Sequence, residues 1–71
     1  MMVRAWNPAP LVKARRSRGI QPVDVYRAVG KSKQWWHGVE NGRHMPSIRD
    51  LVIAMRILRM NRREISSLFF V

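Results

Sequence analysis

The stretch that decides the fold runs over residues 19–47 and reads GIQPVDVYRAVGKSKQWWHGVENGRHMPS. Pro22 suits the first turn of a helix, and Gly30 suits the position just beyond the end of one. Ser32 can cap a second helix by accepting a hydrogen bond from its first turn, and the Asn-Gly pair at 41–42 can end that helix. The stretch therefore predicts two short helices joined by a tight turn.

Helix signals repeat on both sides of this stretch. Asn7 and the prolines that follow it can open a first helix, which runs to about Arg18 and stops at Gly19. Ser47 and Asn61 can cap a fourth and a fifth helix, because each has an acidic residue three positions further on. No segment shows the alternation of a strand. The sequence predicts an all-α fold.

A helical wheel predicts the orientation of the third helix. Trp36 and Val39 lie close together and form its inward face, whereas the polar residues of the helix lie on the opposite side together with Gly38. Trp35 falls on the flank, about 70° from the centre of the apolar face. We expect Trp36 in the core and Trp35 exposed at the rim, where its indole makes a functional contact. The residues expected on the exposed side are Lys33, Gln34, His37 and Gly38.

Length and charge restrict the function. Seventy-one residues form one small domain over residues 1–71, with a loose N-terminal arm over residues 1–7. There is no cysteine, no apolar run of membrane-spanning length and no signal peptide, so we expect a cytoplasmic protein without a membrane contact. Fourteen Lys and Arg residues against four acidic residues give a net charge of +10, which favours nucleic acid as a partner over a merely solubilising charge.

Catalysis and metal binding find no support in the sequence. His37 and His44 are too few for a metal site in a chain without cysteine or a carboxylate cluster. No set of nucleophile, base and acid is present, and the acidic residues are explained by caps or by pairing. We expect no enzyme activity, no metal and no cofactor.

The spacing of residues 19–47 resembles the Cro/lambda-repressor-like helix-turn-helix family, also called the Xre family. The resemblance extends from about Leu11 to Ile65 and implies a compact five-helix domain with the helix-turn-helix at residues 22–40, as in small phage- or plasmid-type regulators of bacterial or phage-infected cells. The positions that match in type are Gly19, Ile20, Val25, Val29, Gly30, Ser32, Val39, Glu40, Asn41, Gly42, Pro46 and Ser47.

The resemblance implies a double-stranded DNA partner and a role for each part of the motif. The helix over residues 32–40 would enter the major groove, with Lys33 and Gln34 on base edges and a later base-reading position at Gly38. Ser32 would cap that helix beside a phosphate. Residues expected to add phosphate contacts or charge are Lys31, Asn41, Arg43 and His44. The resemblance also implies an internal ion pair between Arg15 and Glu40.

Three positions depart from the family pattern. Pro22 stands where a glutamine is usual, Tyr26 where a small residue is usual, and Gly38 where a side chain reaches into the groove. These changes support an alternative function, in which the protein is an antirepressor that binds a partner repressor protein through its recognition surface. Trp35, Tyr26 and the gap at Gly38 would then form an aromatic patch of the kind found at interface hot spots. Both functions remain open at this point.

The C-terminal third carries a second apolar stripe. We expect Ile48, Leu51, Val52, Met55 and Leu58 to face the core of the domain. Ile53 and Ile57 lie on another face, and the chain ends in Leu-Phe-Phe-Val. A small domain cannot bury two separate stripes, so we expect a homodimer or a partner interface formed by Ile53, Ile57, Phe69 and Phe70. In the other interpretation, the C-terminal phenylalanines fold back over the core of their own protomer.

Overall fold

A computed structural model describes residues 6–69, and these residues form five α-helices and no strand. The all-α prediction is therefore confirmed. No helix within residues 6–69 combines the length and the apolar character needed to cross a bilayer. The helices are α1 (Ala9–Ser17), α2 (Pro22–Val29), α3 (Lys33–Glu40), α4 (Ile48–Ile57) and α5 (Arg62–Ser67).

Three helices begin at the residues predicted to cap them. The Ser32 hydroxyl accepts a hydrogen bond from the Trp35 N–H at 3.1 Å, and Ser47 caps α4 in the same way. Asn61 accepts from the Glu64 N–H, and the Glu64 carboxylate accepts from the Asn61 N–H, both at 2.9 Å. These bonds satisfy N–H groups that have no partner within the helix, which is why the helices begin there.

The first helix begins one residue later than its cap signal suggested. Pro8 takes the N-cap position, and the Asn7 side chain accepts a hydrogen bond from the Ala9 N–H at 3.2 Å. The backbone N–H of Asn7 donates to the carbonyl of Leu68 at 2.8 Å, and the ring of Trp6 lies 5.8 Å from that of Phe69. The predicted loose arm is thus wrong for Trp6 and Asn7, which are held against the end of the chain. Residues 1–5 lie outside the described residues.

All five helices enclose one core. Helix α4 packs on α2, α5 packs on α1, and α3 contacts both α1 and α2. Trp36 is the largest fully buried side chain in it, with 1% of its surface exposed. The buried apolar residues are Leu11, Ala14, Val25, Val29, Trp36, Val39, Leu51, Ala54, Leu58 and Leu68.

The buried stripe of α4 is narrower than the sequence suggested. Leu51, Ala54 and Leu58 are buried, whereas Ile48 is 69% exposed and Val52 is 36% exposed. Successive residues turn by about 100°, so Ile48 and Val52 point roughly 90° and 130° away from the centre of the buried stripe. The prediction that these two side chains belong to the core is wrong.

The predicted dimer interface is only partly exposed. Ile53 and Phe69 are half-buried and pack against the core of their own protomer. Ile57 is 36% exposed. Phe70 lies outside the described residues. The structure thus gives Phe69 the position expected from a C-terminus that folds back over its own core.

Candidate nucleic-acid interface

Helix α3 has one buried face and one exposed face. Trp36 and Val39 are buried, and they fix the helix against the core. Lys33, Gln34 and His37 are exposed on the other side, as the wheel predicted. Together with Arg43 they line a shallow groove of about 270 Å³. This groove offers amine, amide, imidazole and guanidinium groups, which are the donors and acceptors that base edges and phosphates require.

Lys31, at the turn between α2 and α3, is more constrained than a free surface cation. Its Nζ lies 3.7 Å from Oδ2 of Asp50, a carboxylate whose side chain is only 8% exposed. Arg49 approaches the other oxygen of Asp50 at 3.5 Å. A buried carboxylate needs such partners, because its desolvation is otherwise costly. Lys31 therefore joins the turn of the motif to α4, while its side chain remains 45% exposed.

The chain turns back at the C-terminal end of α3. The Gly42 N–H donates to the Val39 carbonyl at 3.1 Å, and the Arg43 N–H donates to the Gly38 carbonyl at 2.9 Å. Gly42 has a φ of +77°, a left-handed conformation that favours glycine. This pair of bonds is the Schellman arrangement. As a result, the chain after Arg43 passes close to the last turn of α3, where Asn41, Arg43 and His44 are exposed.

Gly38 is buried, although the wheel placed it on the exposed side of α3. The imidazole of His44 covers it. A Cβ atom added at Gly38 would overlap with Cε1 of His44 and would lie 3.0 Å from its Nδ1. The prediction of an exposed Gly38 is thus wrong, because the wheel describes one helix and not the loop that packs on it.

Trp35 is half-buried rather than exposed. Its ring lies 5.9 Å from that of Trp36 and 6.4 Å from that of His44, and the side chain packs against the core. The prediction of an indole standing free at the rim is therefore wrong. Trp35 instead links the buried Trp36 to the surface imidazole of His44.

The predicted pair between Arg15 and Glu40 is present. Nε of Arg15 lies 2.6 Å from Oε2 of Glu40, and a second nitrogen lies 3.4 Å from Oε1. Arg15 also donates to the carbonyl of Ile20 at 3.2 Å. Both side chains of the pair are largely buried. These contacts attach the last residue of α3 to α1, so the exposed face of α3 has a fixed orientation.

All four acidic residues of the chain have internal partners. Besides the carboxylates of Glu40 and Asp50, Asp24 accepts from the Gln21 N–H at 3.1 Å, and Glu64 pairs with Arg18 at 3.0 Å. The hydrogen bonds from Arg18 and from the Asn61 N–H lower the pKa of Glu64. With its acids occupied in this way, the protein presents mainly cationic groups to a partner.

Two of these contacts were not predicted from the sequence. The pair of Lys31 with Asp50 and the pair of Arg18 with Glu64 join residues 19 and 46 positions apart, so no local spacing indicates them. The only signal was that Asp50 and Glu64 had already been placed at helix starts, where a carboxylate can also accept from a nearby cation.

The family model described as a helix-turn-helix domain matches residues 11–68, a segment that contains α2 to α5 and all but the first two residues of α1. The chain matches no curated protein and no solved structure.

Proposed function

Because the chain belongs to the helix-turn-helix domain family, we propose that it is a DNA-binding transcription regulator that reads the major groove with α3. The observation that carries this proposal is the exposed face of α3, where Lys33 and Gln34 follow a capped N-terminus and the opposite face is locked in the core. A lysine suits guanine O6 and N7, and a glutamine suits adenine N6 and N7.

The remaining residues of the site would either contact DNA or shape the surface that does. His37 and Arg43 line the groove, and Asn41 is exposed just past the end of α3; all three would contact phosphates or bases. Ser32 would leave the first N–H groups of α3 directed at a phosphate, and Lys31 would add charge while it holds Asp50. Trp35 and Gly38, which are covered, would act by shaping the surface.

The test is selection from a random duplex library followed by measurement of affinity for the best sequence. Lys33→Ala or Gln34→Ala should each cost about 1–3 kcal/mol on that sequence and relax the preference at one position. Val12→Ala, a partly buried position on α1, is the control for general effects of substitution. If the Lys33 and Gln34 double variant binds the best duplex as tightly as the parent does, α3 does not read the bases.

A second candidate function is that of an antirepressor that binds another helix-turn-helix protein. The observation that favours it is the exposed apolar pair Met45 (42%) and Ile48 (69%), which follow closely after α3. The aromatic patch expected from the sequence supports this function less, since Tyr26 and Trp35 are half-buried against the core. Capture of a helix-turn-helix repressor in the absence of any duplex binding would favour this function over DNA reading.

Self-association is part of the same proposal. The exposed apolar side chains available for it are Ile48, Val52 and Ile57 on α4. Ile53 and Phe69 are half-buried against the core of their own protomer. A symmetric pair of domains could bind two half-sites about one turn of DNA apart. Sedimentation of the parent, compared with that of the Ile48→Asp and Ile57→Asp variants, tests this prediction. A parent that remains monomeric at high concentration would exclude the homodimer.

A further inference from the structure

The imidazole of His44 occupies the place that a side chain of α3 would otherwise fill. Gly38 lies one turn after Gln34, about 40° round the helix from it, and therefore on the exposed side of α3. It is nevertheless buried, and the atoms nearest to the missing Cβ are Cε1, Nδ1 and Nε2 of His44. A residue outside the helix thus completes the surface of the helix.

Two features hold His44 in this position. The hydrogen bond from the Arg43 N–H to the Gly38 carbonyl at 2.9 Å fixes the backbone immediately before His44. The ring of Trp35 lies 6.4 Å away at an interplanar angle of 37°. Trp35 is itself anchored by Trp36, whose ring centre is 5.9 Å from its own. The ring of His44 is therefore positioned by a chain of contacts that begins in the core.

The hydrogen-bonding capacity of His44 is not used within the described part of the chain. Neither ring nitrogen has a hydrogen-bond partner among residues 6–69, and the side chain is exposed. An imidazole offers a donor and an acceptor on one flat ring, which suits a base edge. Gln34 and Gly38 are about 6 Å apart along the helix axis, against a rise of roughly 3.4 Å per base pair.

We propose that His44 reads a base edge in the major groove, one or two base pairs from the edge read by Gln34, and that Gly38 is required because any larger residue displaces the ring. This inference rests on the proposed DNA-binding function. It assigns to Gly38 a role in positioning, and to the loop after α3 a base contact that the helix itself does not make.

The experiment measures affinity for the best selected duplex and for every single base-pair change in it. His44→Ala should reduce discrimination at one base pair by about 5- to 100-fold and leave the other positions nearly unchanged. Gly38→Ala should flatten the preference at the same base pair, and the double variant should lose little more than either single variant. Val12→Ala, the control on α1, should behave as the parent does.

A nuclear Overhauser contact between Hε1 of His44 and the Hα atoms of Gly38 provides an independent measurement of the geometry in the free protein. It should be present in the parent, and the contact with the Hα of residue 38 should disappear in Gly38→Ala. Circular dichroism should show that His44→Ala and Gly38→Ala are both folded. In Gly38→Ala, alanine favours a helix over glycine, and the His44 ring can move outward.

Each of the other outcomes decides against the proposal. An equal loss of affinity for all duplexes in His44→Ala would mean a phosphate contact, and unchanged discrimination would mean no contact. In both cases DNA reading by Lys33 and Gln34 would stand and only this inference would fall. If the parent binds no duplex at all, the proposed function falls together with it.

Discussion

Arg15 and Glu40 join the last turn of α1 to the last residue of α3, with Nε 2.6 Å from Oε2 and less than 15% of either side chain exposed. Helix α3 has only eight residues, so its own hydrogen bonds do little to fix its direction. The pair therefore contributes to the orientation of the surface on which the proposed function depends.

Removing either partner of this pair should destabilise the fold. Arg15→Ala leaves the largely buried Glu40 carboxylate unpaired, so we expect a loss of about 1–3 kcal/mol in the free energy of unfolding by urea. Arg16→Ala removes the same charge from an exposed position on the same helix and should cost less than about 0.5 kcal/mol. A double-mutant cycle with Glu40→Ala should show coupling, and strictly additive effects would contradict the role given to the pair.

The two adjacent tryptophans should differ in their contribution to stability. Trp36 is 1% exposed, and Trp36→Ala should cost about 3–5 kcal/mol, comparable with the whole stability of so small a domain. Its indole N–H has no partner within residues 6–69, so Trp36→Phe should be tolerated much better. Trp35→Ala removes a half-buried ring and should have an intermediate effect. Chemical denaturation that ranks Trp35→Ala below Trp36→Ala in stability would contradict this order.

Local signals allowed most of the backbone to be predicted from the sequence. The hydroxyls of Ser32 and Ser47 and the amide of Asn61 act only on the residues that follow them, so their spacing already indicates where α3, α4 and α5 begin. The exposed positions of Lys33 and Gln34 also follow from the period of a single helix. For this reason the fold and the first half of the candidate site could be predicted.

The errors arose where one segment covers another. Gly38 is buried by a loop, and Trp6 packs against Phe69 from the opposite end of the chain. A helical wheel contains no information about such neighbours. The exposure of Ile48 has a related cause, because the wheel shows which residues share a face but not how wide a face the partner helix covers.

The turn after α4 contains a residue that should be replaceable with a gain in stability. The corresponding positions after the first three helices carry glycine, whereas Arg59 adopts a φ of +54° here. A side chain in this conformation costs about 1 kcal/mol, so Arg59→Gly should raise the free energy of unfolding by roughly 0.5–1 kcal/mol. Arg63→Gly removes the same charge from within α5 and should lower it by up to about 1 kcal/mol. The melting temperatures of the two variants should therefore change in opposite directions. A change in the same direction would indicate that loss of the positive charge dominates.

Acid should weaken the attachment of α5 to α1. The hydrogen bonds from Arg18 and from the Asn61 N–H lower the pKa of Glu64 below its ordinary value of 4.5, so the folded state favours the ionised carboxylate. This contribution to stability is complete above the unfolded-state pKa and is lost as the pH falls through the lower, folded-state pKa. Glu64→Gln keeps a side-chain acceptor for the cap but cannot ionise. We expect the melting temperature of the variant to fall less than that of the parent between pH 5 and pH 2, and parallel pH profiles would contradict this.

The salt dependence of DNA affinity should distinguish Arg43 from cationic residues that are far from α3 in sequence. A protein that neutralises phosphates releases counterions, so the logarithm of its affinity falls linearly with the logarithm of salt concentration. Arg43 is exposed beside the groove of α3 and has no acidic partner within residues 6–69. Arg43→Ala should therefore weaken binding to all duplexes about equally and reduce the salt slope by about one. Arg62→Ala, at the first position of α5, removes the same charge and should leave the slope near that of the parent. Equal slopes for all three proteins would place the phosphate contacts elsewhere, and a slope near zero in the parent would count against a nucleic-acid partner.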